Sequence, residues 1–333
     1  MKYFVSLLLG CALAAALYGV LFLCAIGHPT NMSARWIGNW YASKLSALEA
    51  APPPRVVTLG GSSGLYGISA EQLSAETGVP CVNFATHAAM SLDYHLTKAR
   101  SVLQAGDVAV MAFEYEYFHA GYPNPVFADY VLGCDPGYIL TQPLAEQARW
   151  FFSAPSGFLF SGTSQRFGWT EAMRIRDHRN ALNAHGDMAD NSLAARLPVQ
   201  LTRLKATKPL LALMDWRKME ESGDWGALAS FARWCGEHDV VLLATFPPTI
   251  RFPEYDNPAT RDLSDNLVAK LSSFGIPVLG RPEDFMMPQD EFFDTVYHLN
   301  ADGRRKHTAR LGALIMPHLE AVRSTAAGRS GKH

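Results

Sequence analysis

Arg55-Val-Val-Thr-Leu-Gly-Gly-Ser-Ser-Gly-Leu-Tyr-Gly-Ile68 is the stretch on which the reading of this chain turns. Val56–Leu59 is a short apolar, β-branched run, the pattern of a buried strand. It leads into Gly60-Gly61-Ser62-Ser63-Gly64, whose small residues let the backbone bend sharply and let a second molecule approach. A serine there stands at a strand's carboxyl end and close to a helix start, where backbone N–H groups such as that of Gly61 can stabilise an oxyanion. Taken alone, the stretch is equally a plain glycine-rich strand-to-helix turn. Gly60-x-Ser62-x-Gly64 also matches the nucleophile elbow of α/β-hydrolases, but that elbow follows several strands and here only one precedes it.

Downstream, strands and helices alternate. A helix is expected over 69–77 with Ser69 as N-cap, a strand over 81–84, a helix over 88–104 and an apolar strand over 108–113. After a gap come a helix over 227–238, a strand over 240–246, a helix over 260–274, a short strand at 278–279 and a closing helix over 301–321. Alternation of this kind implies an α/β fold with a parallel sheet and helices on both faces. Between 119 and 225 the alternation stops. That region is expected to be a helical insertion, with helices near 142–153, 168–180 and 197–220, lying over the edge of the sheet where open α/β folds bind ligands.

Near the other end stands Asp294-Thr-Val-Tyr-His-Leu-Asn-Ala-Asp-Gly303. An acid and a histidine close together before a helix can serve a serine presented at the same sheet edge. The histidine takes the hydroxyl proton, and the acid fixes the imidazole tautomer. Asn300, Asp302 and Gly303 fit a tight turn and N-cap whatever the function. Ser62, His298 and Asp294 are therefore the candidate catalytic residues.

With these two blocks the chain resembles the SGNH (GDSL-like) hydrolase superfamily. More narrowly, it is similar to membrane-anchored extracytoplasmic members that serve polysaccharide O-acetylation or teichoic acid D-alanylation. The resemblance covers roughly residues 55–118 and 226–320. It implies a three-layer α/β/α fold, with Gly60-Gly61-Ser62 standing for the family's Gly-Asp-Ser turn and Ser62, not Ser63, as nucleophile. The family's last block places its acid three residues before the histidine; here that position is Thr295 and the acid, Asp294, is four before. The second block supplies a glycine N–H to the oxyanion hole, and Ala88 stands in that place. The third supplies an asparagine, and Ala112-Phe-Glu-Tyr-Glu-Tyr-Phe118 has none. Glu114 and Glu116 would project to one side of a regular strand. An ionised carboxylate repels an oxyanion, so a structural or substrate-binding role is expected of both. His87, His119, Arg251 and Tyr115 are pocket candidates by position only.

Phe4 to Gly27 contains no charged residue and, as a helix, would be roughly 36 Å long, enough to cross a bilayer core. The apolar stretch is longer than that of a cleaved signal peptide, so an uncleaved anchor over 1–27 is expected, with a cleaved signal as the alternative. Lys2 ahead of it favours the rest of the chain outside, which in a bacterium means an inner-membrane anchor and a periplasmic domain. Residues 28–54 read as a connector. Its Trp36, Trp40 and Tyr41 suit either a membrane interface or packing onto the domain at 55–323, and residues 324–333 read as a disordered tail. With 48% hydrophobic and 18% charged residues the 333-residue chain is globular, and a net charge of −2 gives no case for nucleic acid. The five cysteines show no metal-knuckle spacing, and buried free thiols are expected of Cys81, Cys134 and Cys235. No zinc spacing, P-loop or dinucleotide fingerprint appears, so no cofactor is expected.

The resemblance and the anchor together imply an O-acetyltransferase acting on a cell-surface or exported polysaccharide, alongside a multi-pass membrane acyltransferase. The alternatives are a periplasmic esterase or deacetylase, and a catalytically silent scaffold or glycan-binding subunit.

Overall fold

The computed structural model describes residues 2–119, 124–170 and 181–330, with side chains through Arg323. The chain divides into two compact units. One comprises residues 1–39 and 123–178, the other 40–122 and 179–333.

The second unit is α/β. Four strands, β1 (Val56–Leu59), β2 (Cys81–Asn83), β3 (Val108–Met111) and β4 (Val241–Ala244), form a parallel sheet in the order β2-β1-β3-β4. Val56 pairs with Cys81 on one side and Val108 on the other, and Val108 pairs with Val241. The expected last strand is a single parallel bridge between Val278 and Ala244. Alternation along the strands turns Val56, Val108, Val110 and Leu243 to one face, where they meet Leu73 of the Ala70–Thr77 helix and Leu311, Ile315 and Leu319 of the closing helix. The Leu92–Arg100 and Trp225–Glu237 helices pack on each other, the latter also against β4. The strand order reverses direction between β2 and β3, so the crevice at the carboxyl ends of β1 and β3 is the topological switch point.

Local chemistry sets the boundaries. The Ser69 side chain accepts the Gln72 N–H, as expected of the N-cap. The expected 88–104 helix instead begins at Leu92, because the Ser91 side chain caps the Tyr94 N–H and the residues before it form a turn through Met90 N–H to His87 O. β3 ends at Met111, and Tyr115–Phe118 is a 3₁₀ turn; Glu114 and Glu116 therefore do not share one side of a continuing strand. The closing helix runs Ala301–Ser330, past its expected end at Ala321 into the stretch expected as a disordered tail, where Ala326 and Ala327 favour helix.

The expected insertion over 119–225 is not one body. Its first part falls in the unit that holds the N-terminal helix, and its second part in the α/β unit. The first part forms Pro125–Cys134, Gly137–Leu140, Leu144–Phe152 and Ser156–Arg166. The helix expected at 168–180 lies almost wholly outside the described residues. The one expected at 197–220 is two, Pro198–Lys205 and Trp216–Ser222, separated by Pro209 and a 3₁₀ turn. In the α/β unit, buried Asp187 accepts from Ala70 N–H (2.7 Å), Glu71 N–H (3.1 Å) and the Ser69 hydroxyl (3.1 Å), capping the helix after the serine turn. Asp187→Ala is expected to lower stability by about 1–2 kcal/mol in urea denaturation, the usual worth of a helix cap.

The stretch expected as a connector forms the Met32–Ala50 helix, in which Trp40, Tyr41 and Leu48 are buried. Trp40 stacks on His87, and Thr86 donates its hydroxyl to the Tyr41 hydroxyl (3.0 Å). Lys44 is fully buried and donates to Asn83 O and Gly186 O, each at 2.6 Å; burial lowers its pKa to about 7, against the pull of Asp187.

In the other unit the N-terminal helix Lys2–Ala25 is 24 residues long, with mean hydropathy 2.4 over its most apolar window. By length and composition it can cross a membrane, as a signal sequence also can. All five cysteines are free; Cys81 and Cys235 are buried and Cys134 is exposed.

Candidate active site

Ser62 opens the short Ser62–Gly67 helix directly after β1, and Glu114 follows β3, so the parallel pairing of these strands brings the two together at the switch point. The Glu114 carboxylate accepts the Ser63 N–H (2.7 Å), the Gly61 N–H (3.2 Å) and the Ser62 hydroxyl (3.3 Å). By accepting them, the carboxylate satisfies N–H groups that a helix start leaves open. Glu114 is itself buried, and that burial raises its pKa from the ordinary value, opposed by its hydrogen bonds and by the charge of nearby His298. The two serines differ. Ser63 is fully buried and donates to Ala112 O (3.3 Å), whereas Ser62 is half-buried.

The Gly61 N–H, expected as an oxyanion donor, donates to Glu114 in this arrangement. The geometry also accounts for glycine at 61. A Cβ there would run into the Glu114 carboxylate and lie 2.8 Å from the Tyr117 hydroxyl. The acid at this turn comes from Glu114 rather than from position 61. Gly61→Ala is expected to cost about 1–3 kcal/mol by overpacking, measured by urea denaturation. Among the described residues, no acceptor is bonded to the backbone N–H of Ser62 or of Ala88. Ala88 is exposed in the turn before the Leu92–Arg100 helix.

His298 and Asp294 sit on a narrow loop closed by the Phe292–Leu299 bridge and by Phe293 N–H to His298 O (2.6 Å). His298 Nδ1 donates to Asp294 Oδ1 at 2.7 Å, which leaves Nε2 as the acceptor nitrogen. The extra residue between acid and histidine is absorbed locally. The Thr295 hydroxyl accepts the N–H groups of Tyr297 (3.3 Å) and His298 (3.1 Å), winding the loop so that Asp294 still reaches the ring. Tyr66, on the serine's own helix, lies flat on His298 with ring centroids 4.2 Å apart and planes 7° apart. Serine turn and histidine loop therefore meet through this stack, and through the field of His298 at Glu114.

Glu116 accepts from the Tyr297 hydroxyl (2.7 Å). The residue is exposed as a whole, yet its carboxyl is crowded by protein; that desolvation, with the charge of Glu114, raises its pKa to about 7. Behind the serine turn, His95 Nε2 shares a hydrogen bond with the Tyr117 hydroxyl (2.9 Å). Burial lowers His87 to about 4, aided by the charge of His298, and lowers His95 to about 3, aided by His87. Both imidazoles are neutral at physiological pH. Tyr115 is buried against Phe246 and Tyr297, and Arg251 donates to Glu283 O. His119 ends the 3₁₀ turn and feels Asp215 and Lys218, not the serine turn.

Three residues absent from the sequence reading hold the histidine loop. Arg196 donates to Phe292 O (3.2 Å), Asn191 donates to Leu299 O (2.9 Å), and Arg203 lies 3.7 Å from Asp294 Oδ2. Asn191 and Arg196 come from the irregular stretch after residue 180, where no periodicity marks a role, and Arg203 from the Pro198–Lys205 helix. Among the described residues no cluster of histidine, cysteine, aspartate or glutamate is arranged to hold a metal ion. No protein-family model matches the chain, and comparison with curated proteins finds no match either.

Proposed function

We propose that this chain is a membrane-anchored, extracytoplasmic acyl-ester enzyme of the SGNH (GDSL-like) type, acting as an O-acetyltransferase on a cell-surface or exported polysaccharide. The observation that carries this reading is that Tyr66, on the helix that half-buried Ser62 opens at the carboxyl end of β1, stacks on His298, whose Nδ1 is held by buried Asp294. The strand order, the long apolar N-terminal helix and the resemblance of both blocks support it.

Ser62 Oγ attacks the acyl carbonyl while its proton passes to His298 Nε2. The charge on the tetrahedral oxygen falls to the N–H groups of Ser62 and Ala88. Collapse expels the donor alcohol, protonated by His298, and leaves an acyl-Ser62 ester. A sugar hydroxyl, deprotonated by His298, then takes the acyl group and frees Ser62. Water in that role gives hydrolysis. In the resting arrangement Ser62 donates to Glu114, so its hydroxyl must rotate toward His298 when substrate binds; catalytic hydrogen bonds often tighten only then.

The test is covalent. The detergent-solubilised full chain is treated with a fluorophosphonate, which bonds phosphorus to an activated serine Oγ with loss of fluoride, and the labelled peptide is mapped. Label on Ser62 supports the reading; a folded chain that takes no label there rejects it. Acetate release with and without added glycan then separates hydrolysis from transfer. A second reading has one observation in its favour: Ser62 joins Gly61 and Ser63 as a ligand of Glu114, which is what a purely structural serine in a silent scaffold would do.

A further inference from the structure

The unit formed by residues 1–39 and 123–178 contains an apolar surface that the enzymatic reading does not use. Its Leu144–Phe152 helix carries Leu144, Trp150, Phe151 and Phe152, yet none of its residues is fully buried. An amphipathic helix of a water-soluble unit puts such residues into a core. Here Leu144 is 82% exposed and Phe152 77% exposed. In the neighbouring Ser156–Arg166 helix, Phe158 and Leu159 are buried while Phe160 is 64% exposed, and Phe167 stacks with the exposed Trp169 just beyond. Exposed apolar groups on this scale mark a surface that is covered in use.

What covers it follows from where these helices dock on the N-terminal helix. Tyr18 and Phe22 pack edge-on against Phe151, with centroids 5.2 and 4.8 Å away. Thr163 donates to Leu21 O (3.3 Å), and a Cβ on Gly162 would lie 2.8 Å from Ala25 O. All these contacts fall on the last two turns of the apolar helix. Beyond them, Asp129 accepts from Thr30 N–H (3.0 Å) and Asn31 N–H (2.8 Å), and Gly27 N–H donates to Leu132 O (2.9 Å). The end of the helix is therefore built into this unit. A helix of roughly 36 Å crossing a hydrocarbon core of about 30 Å puts its final turns where acyl chains give way to headgroups. Helices packed beside those turns lie at the same depth. Exposed Leu and Phe side chains together with Trp169 and the exposed Arg149 are the composition of an interfacial surface.

We infer that the Leu144–Phe152 and Ser156–Arg166 helices, with Trp169, lie in the outer-leaflet interface of a phospholipid bilayer beside the N-terminal span. The inference rests on the reading of that helix as a retained membrane span.

The full chain is reconstituted into nanodiscs of ordinary or acyl-chain-brominated phospholipid, and the fluorescence of wild type is compared with that of Trp169→Phe. Trp169 is exposed and phenylalanine keeps an aromatic ring for the stack with Phe167, so the substitution leaves the fold intact. The part of the emission that Trp169 supplies is expected to fall by about half or more in brominated lipid, and to resist aqueous iodide, as for a side chain in the interface. Emission insensitive to bromine but quenched by iodide puts the surface in water and overturns the inference. Emission insensitive to both puts protein there, such as a multi-pass partner or a second copy, and equally overturns it. Intact mass separates the two failures. A chain that has lost its first residues and does not enter discs refutes the retained span itself, whereas a full-length chain in discs with unquenched Trp169 refutes only the interfacial helices.

Discussion

Ser62→Ala is expected to reduce turnover of an activated acetyl ester by about 10⁶-fold and to abolish the acetyl adduct seen by intact mass, while the chain stays folded. The magnitude is that of removing the nucleophile from a triad acting as a unit. Stability should hold because the lost contact is one long hydrogen bond, 3.3 Å to Glu114, from a half-buried side chain; such a bond is worth about 0.5–1.5 kcal/mol. Ser63→Ala is the matched control. Its hydroxyl is fully buried on Ala112 O, so its removal costs a comparable amount of stability and leaves turnover within a few-fold. Equal turnover in wild type and Ser62→Ala would reject serine chemistry here and leave the scaffold reading standing.

The parts of this arrangement that were legible in the sequence are those set by short-range chemistry. β1 and its glycine turn, the Ser69 cap, and the Asn300 side chain accepting the Gly303 N–H all follow from residues within a few positions of one another. The Asp294–His298 pair was readable for the same reason, even with one residue more than the family spacing, because Thr295 tightens the loop from within. What escaped depends on partners far along the chain. No neighbour in the sequence marks Lys44, and only the fold reveals that the carbonyls of Asn83 and Gly186 meet it in the interior. Asp187, Asn191 and Arg196 sit in a stretch without periodicity, and their roles exist only once the serine turn and histidine loop are in place. The division of 119–225 between two units was hidden for a similar reason. Its aromatic first part reads, with the rest, as one helical insertion over the sheet edge, and only the fold places it in the unit of the N-terminal helix.

Glu114→Ala is expected to have the largest effect on stability of the substitutions considered, about 2–5 kcal/mol. It strips acceptors from the N–H groups of Gly61 and Ser63, and each buried donor left unpaired costs about 1–3 kcal/mol. A loosened turn misplaces Ser62, so turnover falls with stability. Glu114→Gln separates charge from shape. Its amide oxygen can accept from Ser63, but its NH₂ then faces the Gly61 N–H, so a smaller loss is expected. The pH dependence carries more information. The folded pKa of Glu114 lies above 4.5 because burial disfavours the carboxylate. Between 4.5 and that raised value the folded chain holds a proton that the unfolded chain has released. Stability must therefore fall as pH rises through this window and level off above it. Glu116, raised to about 7, contributes with the same sign, so the wild-type slope alone does not isolate Glu114. The difference between the wild-type and Glu114→Gln profiles does. Chemical denaturation from pH 4 upward is expected to show wild type losing its advantage over the glutamine variant as pH rises. Parallel profiles would mean that Glu114 titrates alike in both states, and that its three donors compensate the buried charge in full. A carboxylate held ionised in that way, beside the serine, would oppose the oxyanion that the proposed mechanism requires. The same measurement therefore bears on whether this site can do acyl chemistry at neutral pH.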